Sequence, residues 1–319
     1  MAGREFDIID RYFSSRVLSE GPGIVLGPGD DCAILDIKRG HELCVSTDSL
    51  VDGIHFPEDA PGGVAAARSL AANLSDLAAM GAIPIGFALA LTLPDDDVVW
   101  LDEFSAKLSE LAVAWKVPLV GGNLARGPRS ITMTVFGTTP AGKAMRRSGA
   151  NEGDDVYVSG FPGEAAAGLV LLQREGAAAD AHLLARYEHP TPRIEPATRL
   201  IDIATAAIDI SDGLVADLTH IGAASGLGAI IELARVPLTD ALRANFDEDT
   251  ARQFVLSGGD DYELCFTAPP TVRASIDEMA LALSLPLTRL GTMTPAGTIQ
   301  VIDDKGECIA VADGFEHFR

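Results

Sequence analysis

No pair among the four cysteines, Cys32, Cys44, Cys265 and Cys308, has C-x-x-C spacing. Zinc, iron–sulfur and thioredoxin-type chemistry therefore have no support. Cys32, Cys44 and Cys265 stand in apolar runs and read as buried small hydrophobes. The P-loop pattern G-x-x-x-x-G-K-S/T is missing, and so is a GxGxxG opening a βαβ unit. The V-A-I-K, H-R-D and D-F-G set is missing too. Positive charge is scarce: 24 Lys and Arg stand against 46 Asp and Glu, a net charge of −22. A field of that sign repels polyphosphate backbones, so no nucleic-acid partner is expected. Polar residues, Gly or Pro interrupt every apolar run before it reaches membrane-spanning length, so no membrane partner is expected either. The opening residues carry charges and no long apolar stretch, unlike a secretory signal. The expected location is the cytoplasm.

What is there suffices for a large core. The chain has 319 residues, 47% of them hydrophobic, enough for one large domain or two ordinary ones. Strands and helices interleave. Residues 42–47, 85–93, 117–122 and 130–139 read as strands, and 63–80 and 95–116 as helices. A second half begins near residue 145. There 155–160, 206–211 and 229–238 read as strands, and 164–176, 192–204 and 212–226 as helices, the last capped by Ser211 or Asp212. Residues 254–267 read as two short apolar runs around a Gly-Gly-Asp-Asp turn. Several connections are short, which favours antiparallel pairs. The expected fold class is α+β in two domains, 1–144 and 145–319.

Acidic residues recur where apolar strands end: Asp30 and Asp31, Asp48 and Asp52, Asp209 and Asp212, Asp260 and Asp261. A single Asp at such a point usually turns the chain or caps a helix. Asp76 is different, because a carboxylate within an Ala-rich helix needs a partner or a ligand. Carboxylates with hydroxyl neighbours, here Ser46, Thr47 and Ser211, are the hard oxygen donors that magnesium takes. His55 and His189 are isolated. Gly121-Gly122-Asn123 and Gly258-Gly259 follow apolar runs, as turns or as backbone cradles for phosphate. Arg147, in competition with Arg146, is a candidate phosphate clamp.

Taken in order, GPGDDCAIL, STDSLVDGIHF, RSLAANLSDLAAMGAIP, VGGN, RRSGA, IDISDGL, SGGDDYEL and GFEHF resemble the thiamine-monophosphate kinase family. That family belongs to a superfamily with aminoimidazole ribonucleotide synthetase. The resemblance implies transfer of the γ-phosphoryl group of ATP directly to thiamine monophosphate, with several magnesium ions. It implies metal ligands at Asp30, Ser46, Thr47, Asp48, Asp76, Asp209 and Asp212. Asn123 stands where the family usually has Asp, keeping a carbonyl oxygen ligand and losing a charge. ATP contacts fall at Phe104, Gly121, Gly122, Arg147 and Ser211, and substrate contacts at His55, Glu263 and Phe315. Glu263 would pair with the cationic thiazolium ring, and Phe315 would either stack on it or pack in the core. A homodimer is implied, its N-terminal sheets joined in a barrel, with an α/β sandwich-like C-terminal domain. Two alternatives stay open: another ATP-dependent synthetase of the superfamily, and a non-catalytic nucleotide- or metal-binding homologue.

Overall fold

The computed structural model describes residues 7–14, 16–295, 297–312 and 314. The chain divides into two compact units. The first runs through Leu77 and takes in Ala82–Gly142; the second runs from Lys143 onward with Ala78–Gly81. Among the described residues no helix is long and apolar enough to cross a membrane.

In the first unit a short hairpin, β1 (Ile24–Leu26) and β2 (Ile34–Leu35), precedes a four-stranded sheet. Its order is β3 (His41–Val51), β6 (Ser130–Pro140), β4 (Ile83–Leu93) and β5 (Leu119–Arg126). β4 and β5 are parallel and the other pairs antiparallel, a mixed sheet. Alternation sorts each strand into two faces. Phe87, Leu89 and Leu91 of β4 and Ile131, Met133 and Val135 of β6 are buried. So are Leu70, Leu74 and Leu77 of helix α1 (Gly62–Ala79) and Leu101, Phe104 and Leu108 of helix α2 (Val98–Ala114). Asp97 caps α2, its side chain accepting from the Val99 and Trp100 N–H groups, which fixes the start. The two helices meet closely at Gly62, where a Cβ would fall 2.1 Å from the Trp100 carbonyl oxygen. The other face of the sheet is open, with Leu43, Val45 and Ile83 each about half exposed.

The second unit holds a six-stranded sheet, ordered β12 (Ile299–Ile302), β9 (Gly228–Glu232), β11 (Leu287–Thr294), β7 (Asp155–Ser159), β10 (Leu264–Ala268) and β8 (Ala206–Asp209). Only β9 and β12 pair in parallel. Both faces are covered, which explains why β7, β8 and β10 read as unbroken apolar runs. On one face Val156, Val158, Ile208 and Cys265 pack with α3 (Glu164–Glu175), α6 (Leu214–Ser225) and α8 (Glu248–Ser257). On the other, Tyr157 stacks on Phe266 with ring centroids 5.1 Å apart, beside α5 (Ile194–Leu200) and α9 (Arg273–Leu283). Two further helices, α4 (Ala181–Glu188) and α7 (Asp240–Asn245), complete the unit.

The cysteine expectation holds for Cys265, which is buried. It fails for Cys32, which is exposed, and Cys44 is only half covered. The first apolar run of 254–267 is the end of α8 rather than a strand, and Asp247 caps its start.

Asp155 ties α9 and β11 to the sheet. Its carboxylate, 1% exposed, takes Arg273 Nε at 2.6 Å and Arg289 NH1 at 3.2 Å. Burial pushes this carboxyl up, but the bonds and charges of the two guanidiniums outweigh it and hold it below the usual range. Its stabilising contribution is therefore present above the ordinary Asp value of about 3.9 and disappears as pH falls through the lower folded value. Asp155→Asn is expected to melt well below the wild type at pH 7, with the gap closing on acidification towards pH 2.5. A gap that does not change with pH would contradict this.

Candidate active site

Strand β3 is an edge strand, and alternation turns Cys44, Ser46, Asp48 and Leu50 to the helix side of the sheet. There Ser46 Oγ donates to Asp76 Oδ2 at 2.5 Å. The Asp48 N–H donates to Asn73 Oδ1 at 3.0 Å, and Asn73 is fixed in turn by its Nδ2 donating to the Ser69 carbonyl at 2.9 Å. Burial raises the Asp48 carboxyl above its ordinary value, and a hydrogen bond with Asp76 lowers it. Two carboxyl groups at hydrogen-bond distance repel when both are ionised, unless a proton or a cation lies between them. Hard oxygens from two carboxylates and a hydroxyl are a donor set that fits Mg²⁺. Among the described residues no three His, Cys, Asp or Glu side chains form a ready ion cage.

The same alternation corrects the expectation for the Thr47 hydroxyl. It lies on the open face, with Oγ1 2.9 Å from Thr134 Oγ1, turned away from the side chains of Ser46 and Asp48. Phe104 is corrected as well. It is fully buried, stacked on Trp100 at 4.9 Å and edge-on to Phe13 at 6.3 Å, so its ring is core and meets no ligand. Gly121, Gly122 and Asn123 lie inside β5 instead of in a turn after it. Gly122 serves packing, since a Cβ there would fall 2.0 Å from the Leu89 carbonyl oxygen of the parallel neighbour, whereas a Cβ on Gly121 would meet nothing within 4 Å. Asn123 is exposed on this edge strand. His55 Nδ1 accepts the Val51 N–H at 3.0 Å, and its carbonyl takes Arg68 NH2 at 3.1 Å. Asp30 is exposed between β1 and β2, where its Oδ1 accepts the Asp31 N–H. A cleft of about 360 Å³ lined by Leu93, Asp95, Asp96, Leu124 and Arg126 contains none of the expected residues.

In the second unit Asp209 closes β8 opposite Leu264, and the loop 210–213 is knitted to 259–263. The Asp260 N–H donates to the Ser211 carbonyl at 2.9 Å, Tyr262 to Ile210 at 2.9 Å, and Ile210 to Glu263 at 2.8 Å. Asp260 and Tyr262 both have positive φ, 68° and 53°. Strain of this kind gathers at functional sites. The cap position of α6 is Gly213, one residue beyond the expected Ser211 or Asp212, and it has no side chain to cap with. Asp217, buried in the first turn, reaches back instead and accepts the N–H groups of Ser211, Asp212 and Gly213 at 3.0–3.1 Å. Burial, then the charge of Asp212, pushes its carboxyl up to about 7.

Glu263 has no exposed surface. Its oxygens take Arg186, Arg193 and the Ser159 hydroxyl, so its charge is spent on arginines rather than offered to a thiazolium ring. Burial acts to raise this carboxyl, but Arg193 first and then Arg186 hold it below the usual range. Arg147 is exposed, and its carbonyl accepts the Ser225 hydroxyl. Phe315 lies outside the described residues.

Sequence reasoning missed Asn73, Asp217, Arg186 and Arg193. Asn73 carried the same signal as Asp76, a polar residue in an Ala-rich helix. The two arginines carried none, because their partner is 70 or more residues away.

A mixed sheet under helices followed by a second, antiparallel-rich sheet defines a two-domain protein of the AIR synthase related class. Residues 29–139 match the model of the AIR synthase related protein, N-terminal domain, and residues 151–304 that of the C-terminal domain. The thiamine-monophosphate kinase of Escherichia coli (strain K12) is 46% identical over 325 aligned positions, covering 100% of this chain and 99% of that one. The crystal structure of thiamine-monophosphate kinase from Stenotrophomonas maltophilia K279a superposes with a TM-score of 0.85 at 41% identity, covering 91% and 93% of the two chains. AaThiL complexed with AMPPCP and TMP gives a TM-score of 0.79 at 29% identity, covering 91% of each. The chain belongs to the thiamine-monophosphate kinase family.

Proposed function

We infer that this chain phosphorylates thiamine monophosphate with ATP, giving thiamine diphosphate, as a phosphotransferase whose acceptor is itself a phosphate. The observation that carries this is 46% identity across the full length of a named thiamine-monophosphate kinase. The acceptor oxygen is already anionic near neutral pH, so no strong general base is needed, in keeping with a site built of carboxylates. The difficulty is the approach of two anions. Within the first unit, Ser46, Asp48 and Asp76 would hold magnesium, which when bound offsets phosphate charge; Asp209 and Asp212 are the donors the second unit would offer a metal ion. The Ser46 hydroxyl orients the Asp76 carboxylate, and Asn73 fixes the backbone at Asp48, so the donors are set before substrate arrives. Arg147 and Ser211 are exposed and free to meet ATP phosphates, in an in-line transfer. Asn123 at the β5 edge would bind an ion more weakly than Asp. The half-exposed Leu43, Val45 and Ile83 support a second copy of the chain covering the open sheet face in a barrel-like homodimer. A cytoplasmic setting goes with this reading.

Incubation with ATP, magnesium and thiamine monophosphate, with the product read by mass, tests it. Turnover only with aminoimidazole precursors, or ATP binding without turnover, would overturn it. A side-chain contrast on β3 is expected as well. Ser46→Ala should slow turnover about tenfold by freeing Asp76, whereas Thr47→Val should cost under about threefold, because it loses only a hydrogen bond to Thr134. Equal losses in kcat would contradict the assignment of the two faces.

A further inference from the structure

We propose that Asp217 is a positioning residue for the nucleotide: its carboxylate clamps the loop 210–213 so that the side chains of Ser211 and Asp212 are already set when ATP and its cation arrive; this rests on the kinase reading above. The N–H groups of Ser211, Asp212 and Gly213 converge on one oxygen, Asp217 Oδ2, at 3.0, 3.1 and 3.1 Å. Asp217 is 2% exposed. A carboxylate so deep is tolerated where donors surround it, and in the first turn of α6 it also meets the positive end of the helix dipole.

The clamp serves the loop more than the helix. An ordinary cap accepts N–H groups inside the first turn. Asp217 instead takes those of the cap residue and of the two residues before it. The cap position itself is closed to a side chain. Gly213 sits at φ 127°, and a Cβ there would fall 2.8 Å from the Ser257 carbonyl oxygen. Holding the loop is therefore left to a residue one turn along α6.

The carbonyl side of the loop is held from outside. The Ile210 and Ser211 carbonyls accept the N–H groups of Tyr262 and Asp260, each at 2.9 Å, and the Ile210 N–H donates to the Glu263 carbonyl at 2.8 Å. Gly259 lies against the same turn, where a Cβ would fall 2.3 Å from the Ser211 carbonyl oxygen. With the backbone committed on both sides, the loop offers its side chains, Ser211 exposed and Asp212 half-buried. The Ser211 N–H, which a phosphate could otherwise use at a helix N-terminus, is taken by Asp217, so Ser211 meets a phosphate through its hydroxyl. Groups fixed in this way bind without first ordering their loop.

The test compares wild type, Asp217→Ala, Asp217→Asn and Ile221→Ala as full chains, below the melting temperature of each. Ile221 is fully buried in the core under α6, one turn beyond Asp217, so its truncation destabilises without releasing the loop. Amide exchange is followed without cation or nucleotide, and the dissociation constant of ATP is measured at fixed magnesium with no acceptor present. Asp217→Ala is expected to lose protection at residues 211–213 and to weaken ATP about tenfold or more, the worth of a hydrogen bond to a charged group. Asp217→Asn keeps the volume and one acceptor oxygen; it should fall between, and it carries the comparison alone if the alanine variant does not fold. Ile221→Ala should lower the melting temperature yet leave ATP affinity and exchange at 211–213 within about twofold of wild type. Wild-type ATP affinity in the folded Asp217 variants, or an equal weakening by Ile221→Ala, would overturn the proposal. A wild type that binds ATP without turnover counts against the kinase reading alone, whereas one that binds no ATP overturns both.

Discussion

Asp48→Asn is expected to lower kcat for thiamine diphosphate formation on the order of 10²-fold or more, the usual cost of losing one preorganised electrostatic stabiliser. The substitution keeps the shape of the side chain and leaves the backbone hydrogen bond to Asn73 intact. It removes one of two carboxyl groups that lie at hydrogen-bond distance, so the fold should not suffer. Burial already raises the Asp48 carboxyl, and a carboxyl raised in the folded state costs stability once pH exceeds its unfolded value. The neutral amide relieves that cost. The expected result is a pair of opposite signs: much slower turnover, and a melting temperature equal to or above that of the wild type at pH 7. Wild-type kcat at saturating magnesium would rule out the assignment of Asp48. A collapse in melting temperature would make the lost activity a folding effect and would count equally against it.

The second large effect is on stability. Glu263→Gln is expected to cost about 3–5 kcal/mol, because removing one partner of a buried ion pair strands the other. Here two guanidiniums are stranded, Arg186 and Arg193, each at most 17% exposed. Glutamine keeps the volume and one acceptor oxygen, so the loss comes from charge and not from a cavity. Urea unfolding at pH 7 measures it. The folded carboxyl lies below its usual value, so its contribution is present above about pH 4.3 and is lost as pH falls through the folded value. The gap between variant and wild type should therefore narrow in acid. A deficit under about 1 kcal/mol at pH 7 would mean that solvent already compensates the pair. Adding Arg193→Gln to Glu263→Gln should recover part of the loss, as expected of residues in direct contact.

Much of the fold was legible because its signals are local. Asp76 announced itself as a carboxylate in an Ala-rich helix, and the structure supplies its partner in Ser46. The strands of the second unit read as apolar runs because helices cover both sides of them. The failures share a cause, which is that order along the chain carries no direction. Thr47 sits between two residues of the acidic cluster and yet faces away from it. Phe104 falls on the buried stripe of α2 with Leu101 and Leu108, a spacing visible in the sequence once helix periodicity is given precedence over motif membership. Helix α8 went unseen because its first turns are polar, and only Ala251, Val255 and Leu256 are buried. Glu263 was identified as important, but its partners were not: they reach it across 70 and 77 positions, and no local pattern encodes them.

Strand β3 imposes a restriction of its own. Odd positions from Leu43 to Ser49 look one way and even positions from Cys44 to Leu50 the other. Deleting a single residue near Glu42 would invert every following side chain, sending Asp48 outward and Thr47 towards Asp76. Lineages descending from this chain should therefore tolerate length changes in that ribbon only by twos, or only beyond its ends, however freely its individual residues drift.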